Sequence, residues 1–409
     1  MIKRERYLVK LRRYKNQPLI KVVTGIRRSG KSTLLEQYKN ELLSNGVRER
    51  QVQFINFEDP DNSAYLEWPV LYERVKSRLS ADEMNYLFLD EIQWVKDYER
   101  AVDGLAIRKN VDIYLTGSNA WFLSSDLATV LAGRYVEISI LPFSFGEFVQ
   151  TQETQVQNTA ANLDSKLVDY MVYGSFPQAV ALYNVEPAGV NEYLKSVFDT
   201  ILMKDVIARK RIADPVALQA VVSYLFDNIG NITNSNAIAN VLTSQGRKIS
   251  YHTVDSYLEA LIDSFIIYPA SRYDVRGKKL LKTNRKYYIA DTGLRQMLLG
   301  REKLADRGRI LENVIYLELL RRGYKVWTGK NNSSEVDFIC RNTEGYTEYY
   351  QVAYSVRDEA TLQRELSGFD GIKDHNPKTL ISLDPEEASY RGIRQVNAVN
   401  FLLGNATLP

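Results

Sequence analysis

The sequence is poor in the residues that build most metal centres and disulfides. Its 409 residues include one cysteine, Cys340, and two histidines, His252 and His375. A lone cysteine excludes an intrachain disulfide and a thiolate-clustered zinc site, and it fits a reducing, cytoplasmic setting. Two histidines far apart in sequence argue against a histidine-built metal site. Apolar runs are short as well. Stretches such as Tyr86–Leu89 and Ile138–Leu141 fall well below the ~20 residues that a bilayer crossing needs, so no membrane span is expected. The start, Met-Ile-Lys-Arg-Glu-Arg, turns charged before an apolar core could begin, and no signal peptide is expected. An excess of one charge is also lacking: 53 Lys+Arg against 50 Asp+Glu gives +3. That balance excludes a uniformly basic surface, though not a segregated basic patch.

What remains is the composition of a globular protein, 45% apolar and 25% charged. The length suggests two to four domains of about 100–200 residues each. Residues 1–15 carry seven Lys/Arg and one Glu. Beyond them, apolar strand patterns at Leu19–Thr24, Gln51–Phe57, Tyr86–Leu89, Val111–Thr116 and Arg134–Ile140 alternate with helical patterns such as Lys31–Asn45, Pro69–Leu79 and Tyr98–Lys109. Strands alternating with helices predict a parallel sheet covered on both faces. Residues 150–165 are polar and read as a linker, and Leu163–Ile229 reads as helical.

The first strand ends in Gly25-Ile-Arg-Arg-Ser-Gly30-Lys31-Ser32, a full GxxxxGK[ST] phosphate loop that opens a predicted helix. The expected nucleotide-binding residues are Gly25, Arg28, Ser29, Gly30, Lys31, Ser32 and Thr33. Glycines let the backbone amides close around phosphate, Lys31 reaches the terminal phosphates, and the Ser32 hydroxyl ligates Mg²⁺. Tyr86-Leu-Phe-Leu-Asp90-Glu91 supplies the second half of such a site. Asp90 is the expected partner of Mg²⁺, and Glu91 the expected base toward an attacking water. Either Asn119 or Thr116, at the end of the fourth strand, would face the terminal phosphate. Arg134 would either stabilise charge on the transferred phosphoryl group, in its own chain or a neighbouring subunit's site, or form a structural ion pair.

These residues resemble the AAA-type domain of a large bacterial and archaeal ATPase family whose members carry a C-terminal domain of unknown function. The matching pieces are Gly25–Ser32, Leu89-Asp-Glu-Ile-Gln93, Leu115-Thr-Gly-Ser-Asn119, Leu131-Ala-Gly-Arg134, Leu141-Pro-Phe-Ser-Phe145 with Glu147-Phe148, and Gly174-Ser-Phe-Pro177. The resemblance implies an AAA+-like fold, binding of ATP with Mg²⁺, and hydrolysis. It names no substrate.

Two further patterns lie downstream. The order helix, turn, helix, then two strands over residues 233–290 predicts a winged helix. Its loop Arg272–Lys286 holds seven Lys/Arg and one Asp, with Tyr273, Tyr287 and Tyr288 alongside. Arg272, Arg276, Lys278, Lys279, Lys282 and Arg285 are therefore the candidate nucleic-acid contacts, and the tyrosines candidate stacking groups. The second helix carries three acids and no basic residue, which favours contact through the wing. Glu312, Asp337 and Gln351 follow the order of acidic positions in a restriction-endonuclease-like core. Ala353 stands where that pattern has its lysine. The expectation is a nuclease-like fold with lost catalysis.

The complete reading is an α/β chain: a P-loop ATPase domain over 1–150, a linker and helical lid-like region over 151–230, a winged helix over 231–295 and a nuclease-like α/β domain over 296–409. ATP hydrolysis would move the later domains. The alternatives are a slow regulatory switch acting on protein partners and a DNA-processing ATPase, and an oligomer is compatible with each.

Overall fold

The computed structural model describes residues 2–117, 133–153, 163–275, 277, 279–300, 306–331 and 334–405. It divides into two compact units, one formed by residues 1–141 with 263–265, the other by 142–262 with 266–409.

In the first unit, the strands β1 (Ile20–Thr24), β2 (Val52–Asn56), β3 (Asn85–Asp90), β4 (Val111–Gly117) and β5 (Tyr135–Ser139) form one sheet in the order β2-β3-β4-β1-β5. Every pairing is parallel. The predicted parallel sheet is thus present, with β4 between β1 and β3. Alternation along each strand builds a core on each face. Ile20, Val22, Leu87, Leu89, Ile113 and Leu115 pack with α3 (Trp68–Lys76) and α4 (Tyr98–Ala106). Val23, Tyr86, Phe88, Tyr114, Ile138 and Ile140 pack on the opposite face with α1 (Glu5–Arg13) and α2 (Lys31–Ser44). All five residues of β1 are buried. The phosphate loop therefore leaves a strand that both cores hold fixed.

The second unit begins with helices, among them α5 (Phe145–Glu153), α6 (Leu163–Tyr173), α7 (Pro177–Tyr183), α8 (Val190–Thr200), α9 (Pro215–Asp227), α10 (Ser235–Ser244) and α11 (Tyr251–Asp263). Sequence marks several starts: Asp214 accepts from Ala217 N ahead of Pro215, and Asn234 accepts from Ala237 N. The helix pair α10–α11 and a hairpin, β6 (Ile267–Asp274) with β7 (Lys279–Ile289), occur in the expected order. The hairpin is not a free wing, however. β6 also pairs in parallel with β8 (Lys325–Asn331), from Arg272↔Thr328 to Asp274↔Lys330. With β9 (Ser334–Arg341), β10 (Thr347–Val352), β11 (Lys378–Ser382), β12 (Ser389–Tyr390) and β13 (Ile393–Asn397), it forms an eight-stranded mixed sheet ordered β12-β13-β11-β10-β9-β8-β6-β7. Helix α12 (Thr292–Leu299) and the buried α13 (Arg307–Arg321) follow the hairpin. Among the described residues, no helix is long and apolar enough to cross a membrane.

Candidate functional site

The phosphate loop turns on its glycines. Gly25 has φ +144°, and a β-carbon there would lie 2.2 Å from the Ile140 carbonyl oxygen. Gly30 has φ +97° and forms the N-cap of α2. No acidic side chain occupies the first turn of α2, so its amides and dipole present a positive end to the loop. Lys31 is buried and folds back across the loop, its ammonium 3.1 Å from the Gly25 carbonyl oxygen and 3.7 Å from Glu91 Oε1. Ser29 is buried, and Ser32 and Thr33 are half-buried. Arg28 has φ +67° and an exposed side chain, and neighbouring Arg27 pairs with Glu58 at 3.0 Å.

Asp90 and Glu91 end β3 beside this loop. Thr116, from the adjacent end of β4, ties them together: its hydroxyl donates to Asp90 Oδ1 at 2.6 Å and accepts from Glu91 N at 2.7 Å. Glu91 is held in the left-handed region, φ 55°, which a non-glycine residue adopts only where its surroundings dictate it. Gln93 donates to Glu91 Oε2. Burial raises the Asp90 carboxyl above its ordinary range, against the Thr116 hydrogen bond and the influence of the nearby Ser32 hydroxyl. Asp90 Oδ2 is buried without a hydrogen-bond partner among the described residues. A desolvated carboxylate oxygen beside the Ser32 hydroxyl suits a small divalent cation, which prefers hard oxygen ligands. Mg²⁺ therefore fits these residues.

One residue of this site was absent from the sequence reading. Arg4, in the basic N-terminal segment, is 2% exposed. Its guanidinium donates to the carbonyls of Ser29 and Leu141, each at 3.0 Å. A trans peptide points its N–H opposite its C=O. Holding the Ser29 carbonyl from outside thus turns the Gly30 N–H into the loop. Arg4 braces the backbone of the phosphate loop. Arg4→Met should weaken ATP binding roughly tenfold, the worth of a charge-assisted hydrogen bond. Titration with a fluorescent ATP analogue measures it. Added guanidinium ion should restore binding to Arg4→Gly, which a mere packing role would not predict.

Arg134 lies elsewhere. Its carbonyl accepts from Ile20 N at the start of β1, about 13 Å of strand away from the loop. Its exposed guanidinium pairs with Asp103 at 2.8 Å. At this end of the sheet Arg134 does not face its own chain's loop, and its pair with Asp103 is the structural ion pair of the alternative expectation. Asn119 lies outside the described residues.

The downstream candidates also separate. Lys279 and Arg285 are exposed and Arg272 half-buried, while Arg276, Lys278 and the Lys282 side chain lie outside the described residues. Tyr287 and Tyr288 are buried. Tyr288 stacks on Tyr316 at 4.1 Å, so neither tyrosine is available to stack on a base, which corrects that expectation. Tyr273 is half-buried beside Trp327. Glu312, Asp337 and Gln351 do converge. Burial pushes the Glu312 carboxyl up from its ordinary range, against the pull of Lys286. Ala353 is a core residue, bonded through its N–H to Ile381 O.

A glycine-framed loop between a buried strand and a helix, opposite an Asp-Glu strand end on a five-stranded parallel sheet, defines an AAA-type P-loop ATPase domain. Residues 17–149 match the family model described as "AAA domain", and residues 164–305 match a domain of unknown function, DUF8612. The chain is 38% identical to an uncharacterized protein of Haemophilus influenzae over 405 residues, 98% of this chain and 99% of that protein, and it belongs to that protein's family. An uncharacterized protein of Methanocaldococcus jannaschii is 30% identical over 365 residues, 87% of this chain and 79% of its own length. Among solved structures, the Walker-type ATPase of Pyrococcus abyssi is similar in fold, with a TM-score of 0.51 at 19% identity, over 73% of this chain and 96% of that one.

Proposed function

We propose that this chain is an Mg²⁺-dependent ATPase whose nucleotide state changes the posture of its second unit. The observation that carries the reading is the convergence of Lys31, Asp90, Glu91 and Thr116 at one end of a rigid sheet. The loop amides and Lys31 bind the phosphates. Ser32 and Asp90 would hold Mg²⁺, which neutralises charge on the β- and γ-phosphates. Glu91 takes a proton from water; the water oxygen bonds to the γ-phosphorus, and the bridging bond to the β-phosphate breaks, leaving ADP and phosphate. A bound γ-phosphate competes with Glu91 for the Lys31 ammonium and so releases the carboxylate to act as base.

Protein partners are the favoured targets of such a switch. Two tyrosines that would have stacked on bases are in the core, and the basic hairpin is part of a sheet. The test is release of phosphate from ATP by the purified chain. Turnover should require Mg²⁺, vanish in Lys31→Ala, and stay unchanged when DNA or RNA is added. A chain that binds no nucleotide overturns the ATPase reading. Stimulation by nucleic acid that weakens with salt overturns only the choice of partner.

A further inference from the structure

The nuclease-like pattern lacks its lysine at Ala353, yet a lysine does reach the acids from another strand. Lys286, on β7 of the basic hairpin, is 4% exposed. Its ammonium lies 2.9 Å from Glu312 Oε1, 2.5 Å from Glu335 Oε1 and 3.3 Å from Asp337 Oδ1. Burial alone would lower its pKa, but Glu312, Asp337 and Glu335 together raise it above the usual lysine value. The ammonium thus sits among three acid oxygens.

Other atoms of the cluster are partnered as well. Asp337 Oδ2 accepts from Val352 N at 2.9 Å. Glu312 Oε1 accepts from the Tyr288 hydroxyl at 2.6 Å. Gln351, the side chain in place of the second acid, turns its oxygen to Asp337 N at 3.1 Å and its amide to Glu365 Oε2 at 2.7 Å. The Gln351 oxygen is thus engaged by the backbone N–H of Asp337. A divalent metal, which the nuclease-like pattern implies, does not fit these residues as arranged.

We propose that Lys286 is a tethered cation: its ammonium fills the place among Glu312, Glu335 and Asp337 that a divalent ion would take, and it turns a metal site into a closed joint between the hairpin and the sheet. Three carboxylates brought within reach of one point repel each other strongly unless a cation stands between them. A lysine supplies that cation at all metal concentrations, and its stem fastens β7 to β9 and α13. The site holds the second unit together and cleaves nothing.

The experiment measures Mn²⁺ binding to the full chain without nucleotide, by loss of the free-ion paramagnetic resonance signal. Wild type and Asp337→Asn should bind equally. Lys286→Ser should gain one equivalent, and Lys286→Ser/Asp337→Asn should lose it again. Mn²⁺ held by wild type and released by Asp337→Asn would show a working metal site and overturn the proposal. So would a folded Lys286→Ser that gains no Mn²⁺. If Lys286→Ser unfolds in chelator, added Mn²⁺ should restore cooperative melting, and failure to restore it also counts against the tethered cation.

Discussion

Glu91→Gln should bind ATP nearly as well as the parent chain and hydrolyse it about 10²–10⁴-fold more slowly, the usual worth of a positioned general base. Glutamine keeps the volume, the left-handed backbone and the bond from its N–H to Thr116, so the loop and Asp90 stay in place. Only the ability to take a proton is lost. The loss corresponds to about 3–5 kcal/mol in the barrier. Binding is expected to hold or improve, because the neutral amide no longer competes with phosphate for the Lys31 ammonium 3.7 Å away. Single-turnover hydrolysis beside equilibrium binding separates the two effects. A variant that loses both equally would make Glu91 a loop-supporting residue rather than the base. Unchanged turnover would move the base elsewhere.

The ATPase unit was readable because its signals are local. A parallel strand buried on both faces carries a short, mostly apolar run, as Ile20–Thr24 does around Val22 and Val23 and Asn85–Asp90 does at Tyr86–Leu89. The phosphate loop is contiguous, and its glycines have backbone reasons visible in the motif. The unread parts depend on partners far along the chain. Arg4 looked like one charge in a basic segment, yet its acceptors lie 25 and 137 residues on. Lys286 looked like the end of a basic loop, yet Glu312 and Asp337 lie 26 and 51 residues away. A lysine at the boundary between exposed Arg285 and buried Tyr287 can face either way, and composition does not say which. The hairpin was expected as two short strands around a loop Arg272–Lys286, but β6 and β7 take up most of that loop, and a strand pattern carries no record of which edge it joins. Pairing with β8 changes a wing into part of a sheet.

Asp291→Ala should destabilise the second unit by about 3–6 kcal/mol, because three buried donors lose their acceptor at once. Gly174 and Ser175 of the Gly174-Ser-Phe-Pro177 motif make this contact. Asp291 Oδ2 accepts from both Ser175 N and the Ser175 hydroxyl, and Oδ1 accepts from Leu294 N as the N-cap of α12. Gly174 has φ +81°, and a β-carbon there would sit 2.3 Å from Asp291 Oδ1; one at Gly293 would sit 2.6 Å from the Tyr173 carbonyl oxygen. The two segments approach so closely that only glycine fits on either side. The expected loss is a large share of the ~5–15 kcal/mol that stabilises a domain, so urea or thermal melting should show it plainly. Asp291→Asn should fall between, since its one oxygen serves either Ser175 or Leu294 but not both. The pH dependence tests the electrostatics. Burial raises the Asp291 carboxyl above its unfolded value of 3.8, against the Ser175 and Leu294 hydrogen bonds. A group with a raised folded pKa contributes fully below the unfolded value, and the contribution is lost as pH rises through the folded one. The advantage of wild type over Asp291→Asn should therefore narrow as pH rises across that window. An advantage that widens instead would show that the hydrogen bonds to the carboxylate outweigh its desolvation.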